Sequence, residues 1–195
     1  MRRGATLPDK TLTELYRRPG FMIRRAHQIA VSLFVEETGE LGITTTQYGI
    51  LFVLKHRPGV DQISVAKLLG LDRSTTGMVV NKLEQAGLVR RQVAAPDRRR
   101  RSLHLTRAGE KMLARLAGPA ARARARVLSP LAPREQALFL EMLDKLTGSF
   151  NGSTRVPLDV HRASDRDEID PKVPSRPRRS TATQRSAHRA NKDQA

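Results

Sequence analysis

The stretch LGLDRSTTGMVVNKLEQAGLVRR, residues 69–91, decides the fold. Gly70 breaks the apolar segment before it, and Asp72 stands where its side chain can accept the first backbone N–H groups of a new helix. Thr76, Val79, Val80 and Leu83 then recur at helical spacing and face inward. Gly87 supplies the left-handed residue on which helices commonly end. The opposite side of the helix shows Ser74, Gly77, Met78 and Asn81, with Arg73, Thr75 and Lys82 at its edges.

On the N-terminal side, DQISVAKLLG (61–70) reads as a short helix capped by Asp61 and stopped by Gly70, which makes the pair a helix-turn-helix. On the C-terminal side, LVRRQVAAPDRRRRSLHLT (88–106) changes to the strand period. Leu103 and Leu105 share one face, Ser102 and His104 the other, and Pro96-Asp97 sits where a hairpin must reverse. That hairpin is a wing, with Arg98, Arg99, Arg100 and Arg101 at its tip.

Farther out, PGFMIRRAHQIAVSLFVEETG (19–39) spaces Ile23, Ala26, Ala30, Leu33 and Phe34 as one helical stripe behind Pro19. TTTQYGILFVLKHRPG (44–59) predicts a helix buried through Tyr48, Leu51, Phe52 and Val53. Beyond the wing come a long helix (106–129) interrupted at Pro119 and a last helix (132–148) with Pro133 in its first turn. The expected fold is mainly α with a small β-wing: four helices, a hairpin, two helices. Residues 1–18 read as a polar, basic, loosely ordered N-terminal arm and 19–148 as the folded domain. Residues 149–195, rich in Pro, Ser, Thr and charge, read as a disordered basic tail that buries too little to offset its ordering entropy.

The chain has 195 residues, with 36 Lys and Arg against 19 Asp and Glu, a formal charge of +17. That balance attracts polyanions, nucleic acid above all, with acidic membrane surfaces as the competing partner. No apolar run reaches the length of a membrane span and no signal-peptide pattern is visible, so no membrane partner and a cytoplasmic location (nucleoid-associated when on DNA) are expected. Cysteine is absent, which excludes disulfides and thiolate metal sites. The five histidines (27, 56, 104, 161 and 188) lack metal-ligand spacing, and neither a Ser-His-Asp set nor a Gly-rich phosphate loop occurs. No enzyme, cofactor or metal is expected.

The residue types of the second helix suit DNA. Small hydroxyl side chains near a helix start can donate to or accept from base edges in the major groove. Arg73 and Lys82 are better placed for phosphates, and wing arginines fit a narrow, strongly negative minor groove. A charge run alone is usually a solvated face, or a localisation signal. Its place behind a Ser/Thr-rich helix of a helix-turn-helix favours DNA.

LGLDRSTTGMVVNKLEQAGLVRR and PDRRRRSLHLTRAGE (96–110) resemble the recognition helix and wing of the MarR winged-helix transcription factors, over about residues 19–148. The resemblance implies a homodimer held by the first, fifth and sixth of the six expected helices, on pseudo-palindromic double-stranded operators. It makes Arg99 the minor-groove arginine and Asp97 the residue that holds the wing. Gly77 and Met78 depart from the polar pair common in the family. The glycine reflects neutral drift or close backbone approach to DNA, and Met78 suits a thymine methyl rather than guanine. The resemblance also implies a pocket between the first, second and fifth helices for small aromatic anions, with Arg24, His27 and Tyr48 as candidate contacts; His27 reads equally as an ordinary interface histidine. The first helix is similar to a branch controlling catabolism of aromatic acids or their coenzyme A thioesters, and Tyr16 with Arg17-Arg18 and Arg24-Arg25 are nucleotide-phosphate candidates or solvated residues. Two functions follow: a ligand-responsive homodimeric repressor, or an architectural, weakly specific DNA-binding protein. A ratio of specific to random DNA affinity of about 10³ or more separates them.

Overall fold

Side-chain caps set most of the helix boundaries in the computed structural model, which describes residues 10–93 and 101–158. Among these residues α1 spans Lys10–Tyr16, and α2 (Pro19–Thr38) starts on its proline, whose missing N–H costs nothing in a first turn. At α3 (Thr45–His56), Thr44 Oγ1 accepts from the Gln47 N–H at 3.2 Å, while Gln47 Oε1 accepts from the Thr44 N–H at 2.9 Å. Asp61 Oδ1 accepts from the N–H groups of Ile63 and Ser64, both at 3.0 Å, and opens α4 (Gln62–Leu69). Gly70, at φ 61°, closes that helix in the left-handed region. Two residues later α5 (Arg73–Gln85) begins at the Asp72 cap.

Strands β1 (Val89–Val93) and β2 (Arg101–Leu105) pair antiparallel, Val89 opposite Leu105 and Val93 opposite Arg101. The free side of β2 is partly covered too: the Leu103 N–H donates to the Val60 carbonyl at 2.9 Å, and the Gly59 N–H to the Leu103 carbonyl at 3.0 Å. α6 (Arg107–Leu128) and α7 (Pro133–Phe150) follow.

Ile50, Leu51 and Leu54 of α3, Val65 of α4, Val80 and Leu83 of α5, Val89 and Leu103 of the hairpin and Leu116 of α6 form one buried core. α5 is thereby fixed on its inner side while its outer side stays open. α2 lies along α6 and is clamped there by charge. Arg122 Nε donates to Glu37 Oε2 at 2.8 Å; Arg126 donates to Glu37 Oε1 at 3.0 Å and to Glu36 Oε2 at 2.8 Å. The Arg122 hydrogen bond first, then that of Arg126, holds the Glu37 carboxyl below its ordinary range.

Several expectations are corrected. The segment 1–18 contains helix α1, whose Tyr16 ring lies 5.2 Å from Phe21. Pro119 does not interrupt α6; the helix runs through it, with the Arg115 carbonyl losing only its usual donor. Phe52 is not buried but 49% exposed, and Ile50 and Leu54 take the core positions instead, because α3 turns its 50/51/54 face inward. Ile23 and Ala26 are exposed, so the α2 stripe is covered only in its second half. The segment expected to be disordered from 149 begins with structure: α7 reaches Phe150, a 3-10 turn spans Asn151–Ser153, and Asn151 holds both backbone polar groups of Leu158. Leu158 stands beside Gly70, its Cδ1 3.7 Å from where a Cβ would be.

Candidate nucleic-acid interface

The outer face of α5 presents Ser74, Met78 and Asn81 in line, with Met78 60% exposed. Thr76, Val80 and Leu83 on the inner side are fully buried and Val79 is half-buried, as the spacing predicted. Arg73 and Lys82 are exposed at the edges, and Thr75 is half-buried.

Asp72 organises the first turn. Its Oδ1 accepts from the Thr75 N–H at 2.8 Å and the Ser74 hydroxyl at 2.6 Å, and its Oδ2 from the Thr75 hydroxyl at 2.6 Å. The Ser74 hydroxyl, then the Thr75 hydroxyl and backbone N–H, push this carboxyl well below the usual carboxylate range, so it is ionised at neutral pH. An ionised carboxylate only accepts, so both hydroxyl protons point at Asp72. The choice that sequence left open, donor or acceptor, is thus narrowed: Ser74 and Thr75 offer lone pairs outward.

A second network fixes the far end of the face. Arg91, on β1, donates through Nη1 to Glu84 and through Nη2 to Asn81 Oδ1 at 2.6 Å and Gln62 Oε1 at 3.3 Å. Gly77 belongs to the same arrangement: a Cβ there would lie 3.2 Å from Gln62 Nε2. Within the chain, the group nearest Gly77 is thus a side chain of α4. Sequence reading missed Gln62, Glu84 and Arg91, since Arg91 reaches Gln62 across 29 positions of chain and Glu84 across 7, and Arg91 looks like any member of a basic run.

At the wing, Arg101 is exposed as the first residue of β2. Asp97, Arg98, Arg99 and Arg100 lie outside the described residues. Of the candidate effector contacts, Tyr48 is half-buried, its ring 5.6 Å from Phe34 and 6.0 Å from Phe52, and Phe52 lies 4.5 Å from the His56 ring. His27 is exposed, and the Arg24 guanidinium sits 4.9 Å over the Phe21 ring. His27 and Phe34 are seven residues apart, about 10 Å of helix rise, so Tyr48 and His27 border different turns of α2.

A helix-turn-helix with its outer face open, followed by a two-stranded wing, is a winged-helix DNA-reading head. The family model described as "MarR family" matches residues 41–100. A protein of Thauera aromatica, named as a transcriptional regulatory protein for the hcr operon, is 34% identical over 142 residues, 72% of this chain and 84% of its own. The chain belongs to the MarR family of transcriptional regulators. Among solved structures, PcaV of Streptomyces coelicolor in complex with its natural ligand is 32% identical at a TM-score of 0.63, covering 74% of this chain and 98% of that one. CouR, a repressor solved on a 23-mer DNA duplex, is 28% identical at a TM-score of 0.67, covering 73% and 99%. CouR from Rhodococcus jostii RHA1 has also been solved bound to p-coumaroyl-CoA (25% identical, TM-score 0.59, covering 68% and 92%). No helix among the described residues is long and apolar enough to cross a membrane.

Proposed function

We propose that this regulator is a homodimeric repressor that binds a pseudo-palindromic operator through α5 and the wing and is released by a small aromatic acid or its coenzyme A thioester. The observation that carries the reading is the contrast between the two sides of α5: a fully buried inner row of Thr76, Val80 and Leu83, and an open row of small polar and apolar side chains of groove-reading type. Arg73 and Lys82 supply phosphate contacts, and Arg99 of the wing tip supplies the minor-groove contact.

Assembly is supported by what one chain leaves uncovered. Leu138, Leu140, Met142, Leu146 and Phe150 of α7 are each more than 40% exposed, as are Leu12 and Tyr16 of α1 and Met22, Ile23 and Ile29 of α2. Apolar residues left uncovered in such number on the terminal helices suit a second copy of the chain. The effector reading rests on the half-buried Tyr48 between Phe34 and Phe52, on Arg24 and His27 along α2, and on the ligands of PcaV and CouR. α2 packs on α6 and α3 enters the core of the reading head, so a ligand between them bears on both and shifts the equilibrium by its differential affinity.

The test is footprinting on the DNA upstream of the protein's own gene, with and without a panel of aromatic acids and thioesters. One protected operator, held about 10³-fold more tightly than random DNA and released by a panel member, is the expected result. Binding without that preference would make the protein architectural.

A further inference from the structure

We propose that Arg91 is a positioning residue that locks the Asn81 carboxamide with its oxygen toward the protein, so that α5 presents the N–H₂ donor side of the amide to the DNA at that position. This rests on the reading of α5 as the groove-entering helix and goes beyond it to the polarity of one base contact.

The chemistry fixes the orientation. A guanidinium has five N–H donors and no acceptor, so the Asn81 atom 2.6 Å from Arg91 Nη2 is the oxygen. The amide nitrogen is consequently turned away from Arg91, on an exposed residue in line with Ser74 and Met78. Arg91 is itself held from two further sides, by Glu84 at the end of α5 and Gln62 at the start of α4. Its side chain is only 19% exposed, so it is a strut between the wing and the two helices of the reading head.

A free asparagine turns both its oxygen and its nitrogen to adenine, accepting from N6 and donating to N7. With its oxygen turned to Arg91, Asn81 does not present oxygen and nitrogen side by side as that contact needs. It is matched instead to the acceptors of a base edge, O6 and N7 of guanine before the single O4 of thymine, and is mismatched to the amino groups of adenine and cytosine. Because Ser74 lies seven residues, or about 10.5 Å, earlier on the same face and offers lone pairs, the two ends of α5 ask for opposite groups. The Ser74 end takes an amino group and the Asn81 end takes acceptors.

Selection of full-length protein against a randomised duplex pool at fixed salt tests this, with the wild type, Asn81→Asp, Arg91→Met and Glu84→Gln compared. Each half-site should contain one position at which the wild type favours guanine over adenine by about tenfold. Asn81→Asp keeps one oxygen for Arg91 and turns the other outward, so the preference at that position alone should move to an amino-bearing base. Arg91→Met frees the carboxamide and should admit adenine beside guanine there, with the other positions unchanged. Glu84→Gln removes the charge that holds Arg91, and its preference at that position should fall between those of the wild type and Arg91→Met; a cooperative thermal transition for each variant shows that it folds. The proposal is overturned if Arg91→Met or Asn81→Asp retains the wild-type preference at every position. A wild type that selects no motif at all would overturn it together with the operator-binding reading, whereas a selected motif insensitive to Asn81→Asp would remove this inference alone.

Discussion

Replacing Gly109 by alanine tests how closely α6 is seated on the reading head. A methyl group at this position would lie 2.1 Å from the Leu88 carbonyl oxygen, 3.1 Å from its carbon and 3.3 Å from Leu105 Cδ2. Leu88 cannot swing aside, because its N–H donates to the Leu83 carbonyl at 2.9 Å and it follows Gly87 at φ 70°. An ordinary carbon–oxygen contact is about 3.3 Å, so the first turn of α6 has to withdraw by about 1 Å. Two hydrogen bonds tie that turn to the segment before the hairpin: the Thr106 N–H to the Leu88 carbonyl at 3.0 Å and the Thr106 hydroxyl to the Gly87 carbonyl at 2.6 Å. At about 1 kcal/mol net for each, the loss approaches ~2 kcal/mol. Alanine's better helix propensity returns up to ~1 kcal/mol, which leaves Gly109→Ala less stable by about 1 kcal/mol. Gly148, exposed in α7, is the control: nothing lies within 4 Å of its added methyl. Gly148→Ala should therefore be stabilising, by up to ~1 kcal/mol. Urea denaturation followed by circular dichroism, at one fixed protein concentration because assembly shifts apparent stability, reads both. Two substitutions moving stability in the same direction would show that propensity, rather than the close approach of α6 to Leu88, governs the site.

The Glu37 clamp carries a pH dependence. Its carboxyl is depressed in the folded state, so its contribution is present above the ordinary value of 4.5 and is lost as pH falls through the lower folded value. The difference in melting temperature between wild type and Glu37→Gln should shrink as pH drops below about 4.5, and a difference constant into acid would remove the clamp from the account. Leu138→Asp together with Leu146→Asp places charge on the uncovered side of α7 and should give a folded monomer by sedimentation that no longer recognises an operator; an intact dimer would place the interface elsewhere. Half-sites whose centres lie about 10 bp apart suit a two-fold reader, so inserting half a helical turn between them should abolish specific binding in a gel-shift assay. Arg99→Ala should lose the preference for a narrow A·T-rich flank, and unchanged affinity for such a site would contradict the wing assignment.

What was legible in the sequence follows the range of the interactions concerned. Asp61, Gly70, Asp72 and Gly87 act on backbone groups within a few residues of themselves, and each sits in the structure where its chemistry places it: a carboxylate on the first N–H groups at the caps, positive φ at the glycines. The inward row of α5 was legible for the same reason, since a period of 3.6 needs no knowledge of what lies opposite. The reading failed where the opposite side mattered. Phe52 has the hydrophobicity of a core residue, yet the rotation of α3 is set by the fit of Ile50, Leu51 and Leu54 against α5, β2 and α6, which is not written within α3. Ile23 and Ala26 likewise belong to a true apolar stripe whose N-terminal half finds no cover within one chain. Arg91 is the sharpest case, because its residue type and its neighbours Arg90 and Gln92 announce only a basic surface strand. Its role arises because Arg91 pairs with Leu103 across the hairpin, a register that carries its guanidinium to Glu84, Asn81 and Gln62 on two other elements. The polarity of the outer face of α5 is thus decided by residues that stand behind and beside it. A list of exposed side chains on α5 names the candidates for contact, but whether each arrives as donor or acceptor depends on what its other end already holds.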